Sequence, residues 1–323
     1  MTSAYFRVAH ITRYRYDAPV RETQMQVLKA PRDDGNQRLQ DFQLVTRPRA
    51  TVLTFNDALG NAVHHFGVPS QHRELVIQAQ AFVEVSPPPP PGESGPACDW
   101  DVLSGHGFRR EHFDMLQPHG FCQPTALLKS FLEGRGLAPA ADPLSTVTAL
   151  ARSIASAFAY APQSTQVDSP IDHALATGKG VCQDFAHIMI ATCRLWGIPA
   201  RYVSGYLYTR RERGDRSEPD ASHAWLEVFV PAAGWIGFDP TNDTLAGERH
   251  IRVAIGRDYN DVPPTRGVFK GPANSELAVA VAVTPSDVPL RANERPKIVL
   301  PMTQDEFRPA GLSAYEQQQQ QQQ

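Results

Sequence analysis

The chain has 323 residues, room for about two ordinary domains, and its 41% hydrophobic and 20% charged content fits a globular protein with a sizeable core. Its 31 basic and 34 acidic side chains leave a formal net charge of -3, which lacks the electrostatic footprint of a nucleic-acid binder. The longest apolar stretch, Leu277 to Val283, is far too short to span a bilayer, and Met1 to Tyr16 contains no continuous apolar run of the signal-peptide kind.

The first 86 residues read as strands. Tyr5 to Thr12 and Glu74 to Val85 are rich in β-branched and aromatic residues with period-2 stretches. Arg32 to Asn36 and Leu59-Gly60-Asn61 supply turn residues that tolerate positive φ. An antiparallel β-sandwich-like domain is expected over 1–86. The prolines Pro87 to Pro91 open a stiff linker, placed at 87–104.

Helical spacing then takes over. Thr125 to Leu132 stops at Gly134, and Leu144 to Phe158 repeats apolar residues at three and four. Val181 to Trp196 is the best helix in the chain: Phe185, Met189, Cys193 and Trp196 form one stripe, widened by Ile188 and Leu195 into a buried face. Gly197 and Pro199 end it. Strands are expected at Arg201 to Tyr208, His223 to Val230 and Trp235 to Asp239, and a late one at Glu276 to Val283. Residues 105–284 thus form an α+β core with a C-terminal strand. From 285 to 323 the chain is polar and Pro-rich and ends in glutamines, Gln317 to Gln323, so disorder is expected there. The basic run Arg210, Arg211, Arg213 and Arg216 is interleaved with Glu212, Asp215, Glu218 and Asp220 and reads as a solvated connector.

A thiol nucleophile has a definite set of needs. The thiolate is the reactive species, and a free thiol near pKa ~8.5 supplies little of it at neutral pH. A helix N-terminus and an adjacent imidazolium both favour it. Cys182 stands where Gly178-Lys179-Gly180-Val181 gives way to the long buried helix, close to the free N–H groups and the positive dipole end. His223 opens one strand and Asp239 closes the next, and the turn at Pro231 to Gly234 makes the two an antiparallel pair. Nucleophile, base and orienting carboxylate follow in the order Cys, His, Asp.

These residues also carry a resemblance. Gly180-Val181-Cys182-Gln183-Asp184-Phe185-Ala186-His187, Gly197 to Tyr206, Ser222-His223-Ala224-Trp225 and Gly237-Phe238-Asp239-Pro240-Thr241-Asn242 resemble the transglutaminase-like core of bacterial proteins. The N-terminal stretch, with Asp57-Ala58-Leu59-Gly60-Asn61 in a turn, is similar to the bacterial transglutaminase-like N-terminal region. Gly256-Arg257-Asp258-Tyr259 to Pro264 resembles the segment that follows the core. The resemblance covers residues 1 to 284 and implies a papain-like cysteine proteinase/transglutaminase core. Catalytic roles for Cys182, His223 and Asp239, and thioester chemistry on an amide of a peptide or protein, are implied with it. Family members include crosslinking enzymes, peptidases and peptide N-glycanases, and hydrolysis is slightly favoured because no acyl-acceptor site is legible.

Other residues in these motifs have simpler structural roles open to them. Tyr202, Tyr206 and Trp225 are candidates to line the substrate cleft, with core packing as the equal alternative. His187 reads as a structural hydrogen bond rather than a reacting group, Cys193 as core, and Asp184 as dipole complement in the first helical turn. His106, His112, His119 and Cys122 match no tight zinc spacing, and His64-His65 no better. No calcium loop of the EF-hand pattern is present. No metal and no cofactor are expected. Four cysteines (Cys98, Cys122, Cys182, Cys193) are too few for a disulfide framework, so a reducing cytoplasm is the expected compartment, with no nucleic-acid or membrane partner. The rival reading is an inactive transglutaminase-like scaffold whose N-terminal domain does the binding.

Overall fold

The structure is a computed structural model that describes residues 3–88, 99–210, 212, 214–217, 221–231 and 233–286. Cys98, most of the proline run, Arg211, Arg213, Glu218, Asp220 and the glutamine tail lie outside the described residues.

In chain order the elements are β1 (Ala4–Val27), β2 (Gln37–Arg47), β3 (Val52–Asn56), β4 (Ala62–Val68), β5 (His72–Val85), α1 (Trp100–Ser104), α2 (His106–Glu111), α3 (Phe113–Leu116), α4 (Ala126–Gly134) and α5 (Pro143–Ala157). There follow β6 (Ala159–Tyr160), α6 (Ile171–Thr177), β7 (Lys179–Gly180), α7 (Cys182–Leu195), β8 (Ala200–Leu207), β9 (Ser222–Val230), β10 (Gly234–Asp239), β11 (Thr244–Leu245), β12 (His250–Gly256), β13 (Thr265–Lys270) and β14 (Ser275–Ser286).

The expected N-terminal β domain is one curled antiparallel sheet organised around β1. Its first half pairs with β5 and β14, and its second half with β4 and β13. Two features bend β1 between these halves. Pro19 has no N–H for the ladder, and Glu22 takes a positive φ of 51°, so the register shifts on either side of Val20. The even positions Phe6, Val8, His10, Thr12, Tyr14 and Tyr16 are all buried, as a period-2 strand on a core requires.

Two differences from the sequence reading have physical causes. The late strand, read as the end of the catalytic core, lies along β1 for its whole length as β14, with Tyr5 opposite Ser286 and Tyr16 opposite Ser275. Alternation identified the strand but could not tell which edge it joins. Residues 100–104, read as linker, form α1, capped by the Asp99 carboxylate and held by Leu103 in the core and by the Trp100 indole N–H donating to Ala140 O.

The second sheet runs β11-β10-β9-β8-β12, all antiparallel. Ala200, Tyr202, Ala224, Leu226 and Val228 share one core with α7. That helix is buried from Cys182 to Arg194, the pattern of a helix enclosed on all sides. Each large apolar side chain buried there contributes roughly 1.5–3 kcal/mol. Arg194, charged and buried near its C-terminal end, is satisfied by four carbonyl groups, those of Met115, Gln117, Ala200 and Arg257.

Candidate active site

The loop before α7 is tightly built. The Asp184 carboxylate reaches back to accept the Val181 N–H (2.8 Å) and the Thr165 hydroxyl (2.7 Å). Burial pushes its pKa up to about 6 despite those hydrogen bonds. A Cβ at Gly180 would come within 2.9 Å of Asp184 Oδ2 and 3.0 Å of the Phe185 ring, so a side chain there would have to push these two aside. Cys182 is therefore the first residue of a fixed helix, with its own N–H and that of Gln183 lacking intrahelical acceptors. Its exposure is 9%.

The β9–β10 hairpin supplies the other two groups. Its register sets Gly234 against Val230 and Phe238 against Leu226, which brings Asp239 to the His223 end of β9. His223 Nε2 lies 2.8 Å from Asp239 Oδ2, and both are buried. Nε2 being so engaged, Nδ1 faces away from the carboxylate, 3.4 Å from Ser217 Oγ, and Cys182 interacts electrostatically with the ring. Burial opposes the imidazolium, but the charge and hydrogen bond of Asp239 outweigh it, and the contact with Cys182 adds to them; the His223 pKa is raised to about 10. Burial likewise works against the Asp239 carboxylate, yet His223 and His250 hold its pKa well below the ordinary range.

Asp239 is held from several directions. Oδ1 accepts the Thr241 N–H (3.0 Å) and the Asn242 N–H (3.3 Å), and Oδ2 accepts Asn242 Nδ2 (2.7 Å) and His250 Nε2 (3.1 Å) as well as His223. Asn242 also donates to Ser217 Oγ (2.8 Å) and accepts the Arg216 and Ser217 N–H groups, drawing the 214–217 segment over the imidazole. That segment is anchored, unlike the solvated connector read from its charges. Arg216 donates to Ala155 O and Phe158 O, and Asp215 pairs with Arg249. The carbonyls left open at the end of α5 attract the guanidinium, a tertiary fact invisible in the charge count.

Sequence reasoning missed His250. It stands on β12, two strands from His223, and reaches Asp239 across β8 and β9, packed edge-on against Trp225. The start of an alternating strand was its one signal, and alternation does not show where a side chain meets a partner. Among the described residues, His223, Asp239 and His250 bring three potential metal ligands within 4.8 Å. The set fits a metal poorly. The Gly247 N–H donates to His250 Nδ1 (3.1 Å), so the ring proton sits on Nε2, where a metal would need a lone pair.

The remaining candidates are all placed. Tyr202, Tyr206 and Trp225 are buried. Tyr202 lies against His187 and Tyr259, the Tyr206 hydroxyl meets His10 Nδ1 at 2.9 Å, and Trp225 stacks on His223 at 5.9 Å between ring centres. His187 Nε2 accepts the Tyr259 N–H (3.3 Å), and burial lowers its pKa to about 3, so it acts as a neutral acceptor. His119 meets Asp258, His112 packs on Phe229, and His64 lies against Phe42. Cys122, Cys182 and Cys193 are free and buried. Among the described residues, no helix is long and apolar enough to cross a membrane.

A buried helix that presents a cysteine at its N-terminus to a His-bearing antiparallel sheet defines the transglutaminase-like and papain-like class of fold. Comparison with a candidate cysteine protease of Cytophaga hutchinsonii agrees: the two align with a TM-score of 0.67 over 90% of this chain and 93% of that one, at 22% identity. The transglutaminase-like superfamily model matches residues 132–240, and the bacterial transglutaminase-like N-terminal region matches residues 6–84. An uncharacterized protein of Mycobacterium tuberculosis is 37% identical over 296 residues, covering 87% of this chain and 92% of its own length. A protein-glutamine gamma-glutamyltransferase of Pseudomonas aeruginosa is 35% identical over 95 residues, 26% of this chain and 13% of that protein. The chain belongs to the transglutaminase-like superfamily.

Proposed function

We propose that the protein is a cysteine-dependent acyl-transfer enzyme acting on an amide of a peptide or protein. One observation carries the reading: the His223 imidazole, held through Nε2 by Asp239, interacts electrostatically with Cys182 at the N-terminus of α7. The Cys182 thiolate attacks the amide carbonyl carbon, and the carbonyl oxygen takes the negative charge. The Cys182 N–H at the helix end is a donor for that oxygen. On collapse the C–N bond breaks, His223 gives its proton to the leaving amine, and a thioester remains on Cys182. Water or a second amine then attacks the thioester, gives its proton to His223 and releases the thiolate.

Hydrolysis is the outcome to test first, since no acyl-acceptor site is legible in the sequence. A reducing compartment such as the cytoplasm suits a free thiol. The test is mass spectrometry of a peptide mixture incubated with the protein and with Cys182→Ala. New peptide termini mean proteolysis, and amine incorporation at glutamine means transfer. Equal activity of wild type and Cys182→Ala overturns the assignment.

A further inference from the structure

We infer that His250 is a positioning residue for the proposed chemistry: its neutral Nε2–H shares Asp239 Oδ2 with His223 and limits how tightly that carboxylate holds the imidazolium. The inference rests on the function proposed above and adds a fourth side chain to it.

The geometry leaves little freedom in the protonation of His250. The Gly247 N–H points at Nδ1, which must therefore carry a lone pair, and the proton is left on Nε2, 3.1 Å from Asp239 Oδ2. A doubly protonated ring would set two N–H groups against each other. Burial also disfavours the charged ring, an effect that the hydrogen bond and charge of Asp239 only partly offset. The ring packs edge-on against Trp225 at 5.2 Å, and Trp225 in turn stacks on His223.

The consequence concerns the proton on His223. Oδ2 accepts from three side chains, His223, His250 and Asn242, and each added donor makes the oxygen a weaker base toward the others. A carboxylate with fewer donors would hold the His223 proton harder, and that proton must leave for the departing amine. His250 is thus suited to keep His223 a usable acid. The other charged or titratable groups facing this pair, among the described residues, are Cys182 beyond His223 and Arg249 beside His250, the latter paired with Asp215. Arg249 and Asp215 are already matched, so their pair moves little when His250 is replaced.

The strand that carries His250 is fastened elsewhere. On β12 the Arg252 guanidinium bonds Asp34 and Glu227, the Arg252 N–H meets Gln37 Oε1, and Ile255 exchanges two hydrogen bonds with Asn61. The N-terminal sheet therefore helps fix where His250 stands.

The experiment is the pH dependence of iodoacetamide alkylation at Cys182, followed by mass spectrometry of the Cys182 peptide, in wild type, His250→Phe and His250→Gln. Wild type should show an acidic step as the ion pair forms and an alkaline step as His223 deprotonates. His250→Phe, which lacks the donor, should move the alkaline step up by about one pH unit. His250→Gln, whose amide can replace Nε2–H, should keep it. A normal wild-type profile with an unmoved or lowered alkaline step in His250→Phe overturns the inference alone. A wild-type profile with no acidic step overturns the proposed function and this inference with it. Should His250→Phe not fold, imidazole 15N NMR on the wild-type protein decides. A neutral ring with its proton on Nε2 from about pH 5 to 9 supports the proposal, and an Nδ1 proton or a titrating ring overturns it.

Discussion

Asn61 and Ile255 lie 194 positions apart in sequence and pair through two hydrogen bonds: the Asn61 amide donates to Ile255 O and accepts the Ile255 N–H, each at 2.8 Å. The side chain thus behaves as one residue of an extra strand laid against β12. It belongs to the turn Asp57 to Asn61, which closes when Asp57 Oδ1 accepts the Leu59 and Asn61 N–H groups. Arg32 adds a hydrogen bond to Asn61 Oδ1.

Removing that amide should therefore be costly. Asn61→Ala leaves the N–H and C=O of Ile255 buried without those partners, and each such group costs on the order of 1–3 kcal/mol. A loss of about 2–6 kcal/mol in urea unfolding is expected. A loss below about 0.5 kcal/mol, the usual ceiling for surface substitutions, would show that water replaces the bond and that the turn is not a structural tie.

The ion pair between His223 and Asp239 predicts a pH dependence of stability. An unfolded histidine titrates near ~6.5, whereas the folded His223 titrates near about 10. Between those values the native state holds the extra proton, so the pair's contribution is complete below pH ~6.5 and is lost as pH rises toward about 10. Wild-type stability should fall across this window more steeply than that of Asp239→Asn, measured by denaturant titration at several pH values. Parallel curves for the two proteins would mean that His223 is not held protonated.

Much of this site was legible in the sequence because its three residue types recur within short motifs whose local structure is strongly determined. Gly180, Asp184 and the buried stripe of α7 place Cys182 at a helix start, and the Pro231 to Gly234 turn pairs the strands of His223 and Asp239. What was not legible depends on long-range pairing. His250 meets Asp239 across β8 and β9, and β14 joins β1 rather than the neighbours of α7, since alternation identifies a strand and not its partner. Tyr206 shows the same limit. Its period-2 position fitted a cleft or a core equally, and the choice was made by His10, far away on β1.

Gly205 offers a test of how close-packed the layer behind His223 is. A Cβ there meets Ile251 O at 2.2 Å and the Trp225 ring at 2.6 Å, and a backbone oxygen in a paired strand cannot step aside. Gly205→Ala should cost about 1–3 kcal/mol in stability, at the upper end of that range or beyond. It should also slow Cys182 alkylation at mildly acidic pH, since Trp225 stacks on His223. Normal stability would show that β8 and β12 can separate locally.

Asn242 is the hub where the loops meet the ion pair, and its loss should separate activity from folding. Its side chain donates to Asp239 Oδ2 and Ser217 Oγ and accepts the N–H groups of Arg216 and Ser217. Asn242→Ala removes all four bonds, but the backbone N–H groups of Thr241 and Asn242 still hold Asp239 Oδ1, and His250 still donates to Oδ2. Asp239 should stay in place while the 214–217 segment loosens over His223. One lost hydrogen bond to a charged group is worth about 1.5–3 kcal/mol, and 1.4 kcal/mol is a factor of ten. Because Oδ2 also loses a donor, the alkaline step of alkylation should rise as in His250→Phe, while the less well-oriented imidazole slows alkylation near pH ~6 by about tenfold. An unchanged rate would mean that Asp239 needs no help from Asn242 in orienting His223, and the role of Asn242 would then be confined to closing the loop.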